Sequence, residues 1–255
     1  MDLFEPTVTV LLALLLVAVI AGYIDTLVGG GGLITVPALL AVGIPPLYAL
    51  GTNKLQAVAG SGTASIAMLS RRKVSFKDVR WLMLAAFVGS LIGSVIVQFF
   101  DPGALDLAIP TVIIVIAFYF VLAPKHSATA TEPRIGKTTY GLTAVPAIGV
   151  YDGMFGPGTG SFLVWAGVAL RGQPIVVSTM VAKTLNFSTN LASLIIFVSF
   201  GKVMWTVGFV MMVGQFVGAS LGAKVLMTIN PTLLRYLVIA VCFLILVSWV
   251  LTKQA

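Results

Sequence analysis

The chain has 255 residues, of which 59% are hydrophobic and 9% charged, with a formal net charge of +7. A soluble domain can neither bury that much apolar surface nor keep it dissolved with so few charges, so a water-soluble fold is excluded and the bilayer is the solvent. The basic excess does not signal nucleic acid, because most Lys and Arg lie in short connections between apolar runs, the distribution that cytoplasmic loops show.

Residues 1–6 carry Asp2 and Glu5 and no basic residue. A secretory signal opens with a basic stretch, so the first apolar run, 8 to 28, reads as a retained span. With charges, Pro and Gly as punctuation, further segments fall at 33 to 50, 54 to 70, 80 to 99 and 105 to 123, then at 139 to 155, 159 to 170, 175 to 200, 204 to 227 and 232 to 251. Some are too short to cross alone, 159 to 170 above all, and read as half-helices or re-entrant segments.

The second five segments echo the first five. Gly22-Tyr23-Ile24-Asp25, followed by Gly29 and Gly31, returns as Gly149-Val150-Tyr151-Asp152, followed by Gly156 and Gly158, an offset of 127. Farther on the offset becomes 129, matching Lys54 with Lys183, Lys73 with Lys202, Gly89 and Gly93 with Gly218 and Gly222, and Asp101-Pro102 with Asn230-Pro231. A repeat of this length is a duplicated membrane unit. The expected fold is therefore an all-α polytopic membrane protein with a first repeat at 1–124, a cytoplasmic linker at 125–138 and a second repeat at 139–255. Basic residues crowd one loop of the first repeat (Arg71, Arg72, Lys73, Lys77, Arg80) and the linker (Lys125, Arg134, Lys137), but Arg171, Lys224 and Arg235 sit at the opposite set of connections in the second. That bias predicts inverted repeats with five segments each and the N-terminus outside.

Two glycine tracts stand out, Gly29-Gly30-Gly31-Gly32 and Gly156-Pro157-Gly158-Thr159-Gly160-Ser161. Such stretches cannot hold a continuous helix, and a broken backbone persists in hydrocarbon only when it is buried in protein or lines a wet cavity. If helices restart at Leu33 and Ser161, their free N–H groups and positive dipole ends face an anion; the alternative is that the glycines only permit close helix packing. Asp25 and Asp152 lie in the same apolar stretches, where a carboxylate costs on the order of 3 kcal/mol, and read as proton-coupling groups or as structural carboxylates that cap a helix or pair with lysine. Lys54, flanked by Asn53 and Gln56, and Lys183, with Asn186 and Asn190, form donor clusters suited to an oxyanion; snorkelling to the interface is the alternative for each lysine. Gly89 with Gly93 and Gly218 with Gly222 read as close-packing motifs.

Other chemistries lack their residues. The one histidine, His126, falls in the polar linker, which removes a Ser–His pair; a single Cys242 and a single His cannot make a soft-metal carrier, and no phosphate-binding lysine loop is present. No cofactor is expected.

The runs Asp25-Thr-Leu-Val-Gly-Gly-Gly-Gly-Leu-Ile-Thr-Val-Pro-Ala-Leu-Leu, Gly51-Thr-Asn-Lys-Leu-Gln, Tyr151-Asp-Gly-Met-Phe-Gly-Pro-Gly-Thr-Gly-Ser and Ala182-Lys-Thr-Leu-Asn-Phe-Ser-Thr-Asn resemble the TauE/SafE sulfite exporter family, and most its YfcA-like branch. The resemblance covers nearly the whole chain. It implies a bacterial inner-membrane permease, usually an exporter, for sulfite, sulfonates or related sulfur oxyanions. It also implies about eight spans, which agrees with ten segments when the short ones count as half-helices. The combined expectation is an alternating-access carrier with a small anion as its partner, one site between the repeats formed by both glycine breaks and by Asn53, Lys54, Gln56, Lys183, Asn186 and Asn190, and coupling through Asp25 and Asp152. A passive anion channel and a non-transporting membrane enzyme or scaffold are the alternatives; membrane lipid is the other partner, and a homodimer is compatible with all three.

Overall fold

The computed structural model describes residues 6–70, 74–122 and 130–225. The expected segment at 232–251, Arg71 to Lys73, Lys125, His126, Arg235 and Cys242 lie outside the described residues. Among the described residues the elements are all helical: α1 (Val8–Val28), α2 (Gly31–Ala41), α3 (Pro46–Ser70), α4 (Phe76–Gln98), α5 (Pro102–Leu122), α6 (Lys137–Leu142), α7 (Ala144–Met154), α8 (Thr159–Arg171), α9 (Ile175–Ser199) and α10 (Trp205–Val225).

Three boundaries differ from the sequence reading, and each has a local cause. The break between the second and third segments falls at residues 42–45, not near Gly51, because Pro45 and Pro46 cannot continue α2, and Pro46 starts α3. Gly51 is instead an interior residue of α3, where an added Cβ would lie 3.0 Å from the carbonyl carbon of Lys202. The run 139 to 155 divides into α6 and α7 at Thr143, since Pro146 lacks an N–H and its ring crowds the carbonyl of residue 142. The linker is also shorter than read: α6 begins at Lys137, and the N–H groups of Thr131, Arg134 and Ile135 bond to carbonyls of Gly172 and Leu170.

The long helices α3 and α9, with 25 residues each, pack on one another in the middle. On one side α10 joins α3 to α1; on the other, α4 joins α9 to α7. The two flanks are built by the same device. Gly89 and Gly93 bring α4 against the backbone of α7, where added Cβ atoms would lie 2.9 Å and 2.8 Å from the carbonyl carbons of Pro146 and Val150. Gly218 does the same for α10 on α1, with the carbonyl carbon of Val19 at 2.9 Å. In lipid, association gains from close packing rather than from apolar burial, so these small residues set the helix positions.

The outer surface is apolar. Val8, Leu12, Leu16 and Ile20 are exposed at every fourth position of α1, and Leu84, Val88, Ile92 and Ile96 run along α4. Such stripes are tolerable only against lipid. Among the described residues four helices are long and apolar enough to cross a membrane, within Val8–Leu27, Phe76–Gln98, Ile175–Ser199 and Trp205–Val225. By contrast α2 and α8, with 11 and 13 residues, reach about 16 and 20 Å at about 1.5 Å per residue, short of the roughly 30 Å hydrocarbon core.

Replacing Gly93 by alanine should lower the unfolding midpoint of the detergent-solubilised protein, with the roughly 1–3 kcal/mol cost of overpacking. Gly136→Ala, where nothing lies within 4 Å of an added Cβ, should leave the midpoint in place in the same thermal melt.

Candidate functional site

Both glycine tracts interrupt the helices. α1 stops at Val28 and α2 starts at Gly31; α7 stops at Met154 and α8 starts at Thr159. Helix thus resumes two residues earlier than Leu33 and Ser161 in each tract, since Gly31, Gly32 and Gly160 can enter the first turn without steric conflict. Glycine is required at the bends themselves: Gly29 has φ 79° and Gly158 has φ 80°, a region that side chains with a Cβ rarely occupy.

The two breaks touch. A Cβ on Gly29 would sit 2.6 Å from both the carbonyl carbon of Gly160 and the nitrogen of Ser161, so main chain meets main chain with no side chain between. Ser161 Oγ donates to the Gly29 carbonyl at 2.7 Å, which locks the crossing. Thr159 Oγ1 donates to the Gly156 carbonyl at 2.8 Å and Tyr151 donates its hydroxyl to the Pro157 carbonyl, so the second bend carries its own braces.

Each break is also tied to the opposite repeat by a buried lysine. Lys54 on α3 lies 3.1 Å from Asp152 Oδ1 and donates to the Asp152 carbonyl at 2.6 Å. Lys183 on α9 lies 3.1 Å from Asp25 Oδ2 and donates to the Asp25 carbonyl. The lysine side chains are 1% and 0% exposed, which removes the snorkelling alternative. Burial follows from the boundary found above: Lys54 stands inside a 25-residue helix rather than at a segment end. Both structural roles weighed for Asp25 occur together, because Asp25 Oδ1 accepts from the N–H groups of Gly30 and Gly31 at 3.0 Å each, capping α2, while Oδ2 takes Lys183.

At the crossing lies a small polar cavity of about 30 Å³. Its wall includes Asp25, Gly30, Gly31, Gly32, Asn53, Gln56, Asp152, Gly156, Gly158, Thr159, Gly160, Asn186 and Asn190, so thirteen of the seventeen residues singled out in the sequence meet in one place. Lys54, Lys183, Gly29 and Ser161 stand behind the wall, engaged in the contacts just described. The charges sum to zero: two lysines face two aspartates. What the cavity offers a solute is a set of amides. Asn53 Oδ1 accepts from Thr35 Oγ1 at 2.6 Å and Gln56 Nε2 at 2.7 Å, and Asn186 Oδ1 accepts from Asn190 Nδ2 at 2.9 Å. With those carbonyls satisfied inside the protein, the amide N–H groups of Asn53 and Asn186 are what remain to give.

Gln215 on α10 also lines the cavity, and the sequence reading missed it. Its carboxamide packs close to Gly22 and Gly60, where only glycine leaves room. A signal was present: Gln215 lies three and seven residues before Gly218 and Gly222, on the face that α10 turns inward. Among the described residues no group of three or more His, Cys, Asp or Glu side chains is placed to hold a metal ion.

Breaking one ion pair should strand a buried charge. Lys54→Met should destabilise the detergent-solubilised protein by about 3–5 kcal/mol, and adding Asp152→Asn should recover most of it, as read from unfolding midpoints of the single and double variants.

Residues 14–249 match the family model described as sulfite exporter TauE/SafE. The chain is 43% identical over 235 residues to a "Probable membrane transporter protein" of Haemophilus influenzae, covering 92% of each chain. It is 41% identical over 240 residues to "Probable membrane transporter protein YfcA" of Escherichia coli strain K12, covering 94% of this chain and 89% of that one. A more distant relative, "Probable membrane transporter protein YunE" of Bacillus subtilis, is 23% identical over 237 residues, covering 83% and 87%. No solved structure matches. An apolar exterior, a central broken-helix crossing and these likenesses over nine-tenths of the sequence lead to one assignment: the chain is a multi-pass membrane protein that belongs to the sulfite exporter TauE/SafE family of membrane transporters.

Proposed function

We propose that the protein is a secondary transporter of a small anion, a sulfur oxyanion such as sulfite or a small organosulfonate, working by alternating access in the bacterial inner membrane. The observation that carries this reading is the polar cavity at the touching helix breaks. Hydrocarbon-depth backbone is left unwound there, and the surrounding groups are amide donors and helix N-termini, the neutral dipoles that hold an anion without a counter-charge. The first turn of α8 has no capping side chain, and the N–H groups of Thr159, Ser161 and Phe162 turn instead to the carbonyls of Gly156 and Gly158. Family membership supports transport, and the family is one of sulfite exporters.

In this reading residues 1–124 and 139–255 are inverted repeats around the one site, and transport couples to protons through the buried carboxylates. The exchange of partners supports it, since Lys54 pairs with Asp152 and Lys183 with Asp25, each lysine reaching the break of the other repeat. The cavity's size favours a compact oxyanion over a bulky organic solute.

Counterflow in proteoliposomes tests the reading. Labelled sulfite should enter faster when unlabelled sulfite is inside, with sulfate and an organosulfonate as competitors. Gln215→Ala and Asn186→Ala should each cut uptake about tenfold or more, the effect of losing one hydrogen bond to a charged ligand. Uptake that ignores the internal anion would point to a channel, and no uptake of any of the three would remove the transporter assignment for these solutes.

A further inference from the structure

The two buried carboxylates occupy matched places in the repeat but not matched surroundings. Asp25 has every oxygen served, by Gly30 N, Gly31 N and Lys183. Asp152 has Lys54 on Oδ1, while its Oδ2 is buried and has no hydrogen-bond partner. An ionised buried oxygen that no protein group donates to is expensive, and a proton is the smallest group that satisfies it.

From this asymmetry we propose that Asp152, and not Asp25, takes up one proton together with a bound monoanion, so that the loaded site is neutral. The proposal rests on the transport reading above and narrows it. Charge balance argues the same way. The empty site is neutral, so a bound monoanion alone leaves a buried net charge of −1, whereas an anion with a proton on Asp152 Oδ2 leaves zero: Lys54 then answers the ligand. The step is a simple transfer, in which a proton leaves bulk water, bonds to Oδ2, and departs with the anion on the other side. Gln56 Oε1, on the same cavity wall and also without a donor, is a second acceptor that an O–H group satisfies.

The titratable groups around Asp152 are few. Lys54 faces it from α3; Tyr151, next to it on α7, donates its hydroxyl to Pro157; across the cavity, Asp25 of α1 and Lys183 of α9 engage each other. None of them donates to Oδ2.

The test is sulfite-driven proton movement in proteoliposomes that contain a pH-sensitive dye. The wild-type protein should move one proton per sulfite, and its uptake should rise as the loading side is acidified, by up to about tenfold per pH unit. In Asp152→Asn the sulfite flux that remains should carry no proton and lose that pH dependence; in Asp25→Asn the remaining flux should keep both. If Asp25→Asn does not fold, infrared difference spectra replace it: acidification should raise the carbonyl band of a protonated buried carboxyl in the wild-type protein and not in Asp152→Asn. Proton movement that survives in Asp152→Asn, or sulfite flux in the wild-type protein that needs sodium and carries no proton, overturns the proposal. Absence of sulfite flux in the wild-type protein overturns instead the transport reading beneath it.

Discussion

The structure depends on how a helix can be unwound at membrane depth. Where α7 ends, the Asp152 carbonyl has Lys54 as its donor; where α1 ends, the Asp25 carbonyl keeps the N–H of Gly29 and takes Lys183 as well. Each ammonium binds both the carboxylate and the main-chain carbonyl of a single aspartate, so one side chain satisfies the break and neutralises the carboxylate beside it. Because Lys54 reaches the break after α7 and Lys183 the break after α1, the ion pairs tie the two halves of the chain together. Remove the lysines and the carboxylates, the carbonyls and the bend geometry all lose their support at once.

Upon this symmetric frame sits an asymmetric lining. At the 129-residue offset, Asn53 and Gln56 correspond to Ala182 and Leu185, Asn186 and Asn190 to Ala57 and Ser61, and Gln215 to Ala86. The glycine bends and the ion pairs are therefore duplicated, while every amide that faces the cavity is peculiar to its own side. Duplicated parts make the architecture, and unduplicated ones are free to set which ligand is accepted and how it is oriented. The unequal hydrogen bonding of Asp25 and Asp152 belongs to the same pattern.

Much of this was legible in the sequence because the features are coarse. Glycine runs, buried charges and a repeat offset all stand out against an apolar background, and they located both breaks and most of the cavity wall. What stayed hidden was pairing. The repeat shows that Lys54 matches Lys183 and Asp25 matches Asp152, but it does not say whether each lysine serves its own repeat or the other, a choice made by the packing of α3 against α9. Gln215 escaped for a related reason, since a search guided by duplicated residues passes over one whose counterpart is alanine. Gly51 misled in the opposite sense: it resembles a break, yet its small size serves the approach of the Lys202 main chain to an intact helix.

The contact between Gly29 and Gly160 has a mechanical meaning. Two main chains in van der Waals contact, pinned by Ser161, leave little freedom to slide. In the proposed transport cycle the crossing would serve as a fulcrum and α8 as a lever of about 20 Å. A tilt of about ten degrees would displace its far end by about 3 Å while hardly disturbing the atoms at the pivot. A site at such a point would keep hold of its occupant while the walls above and below it swing.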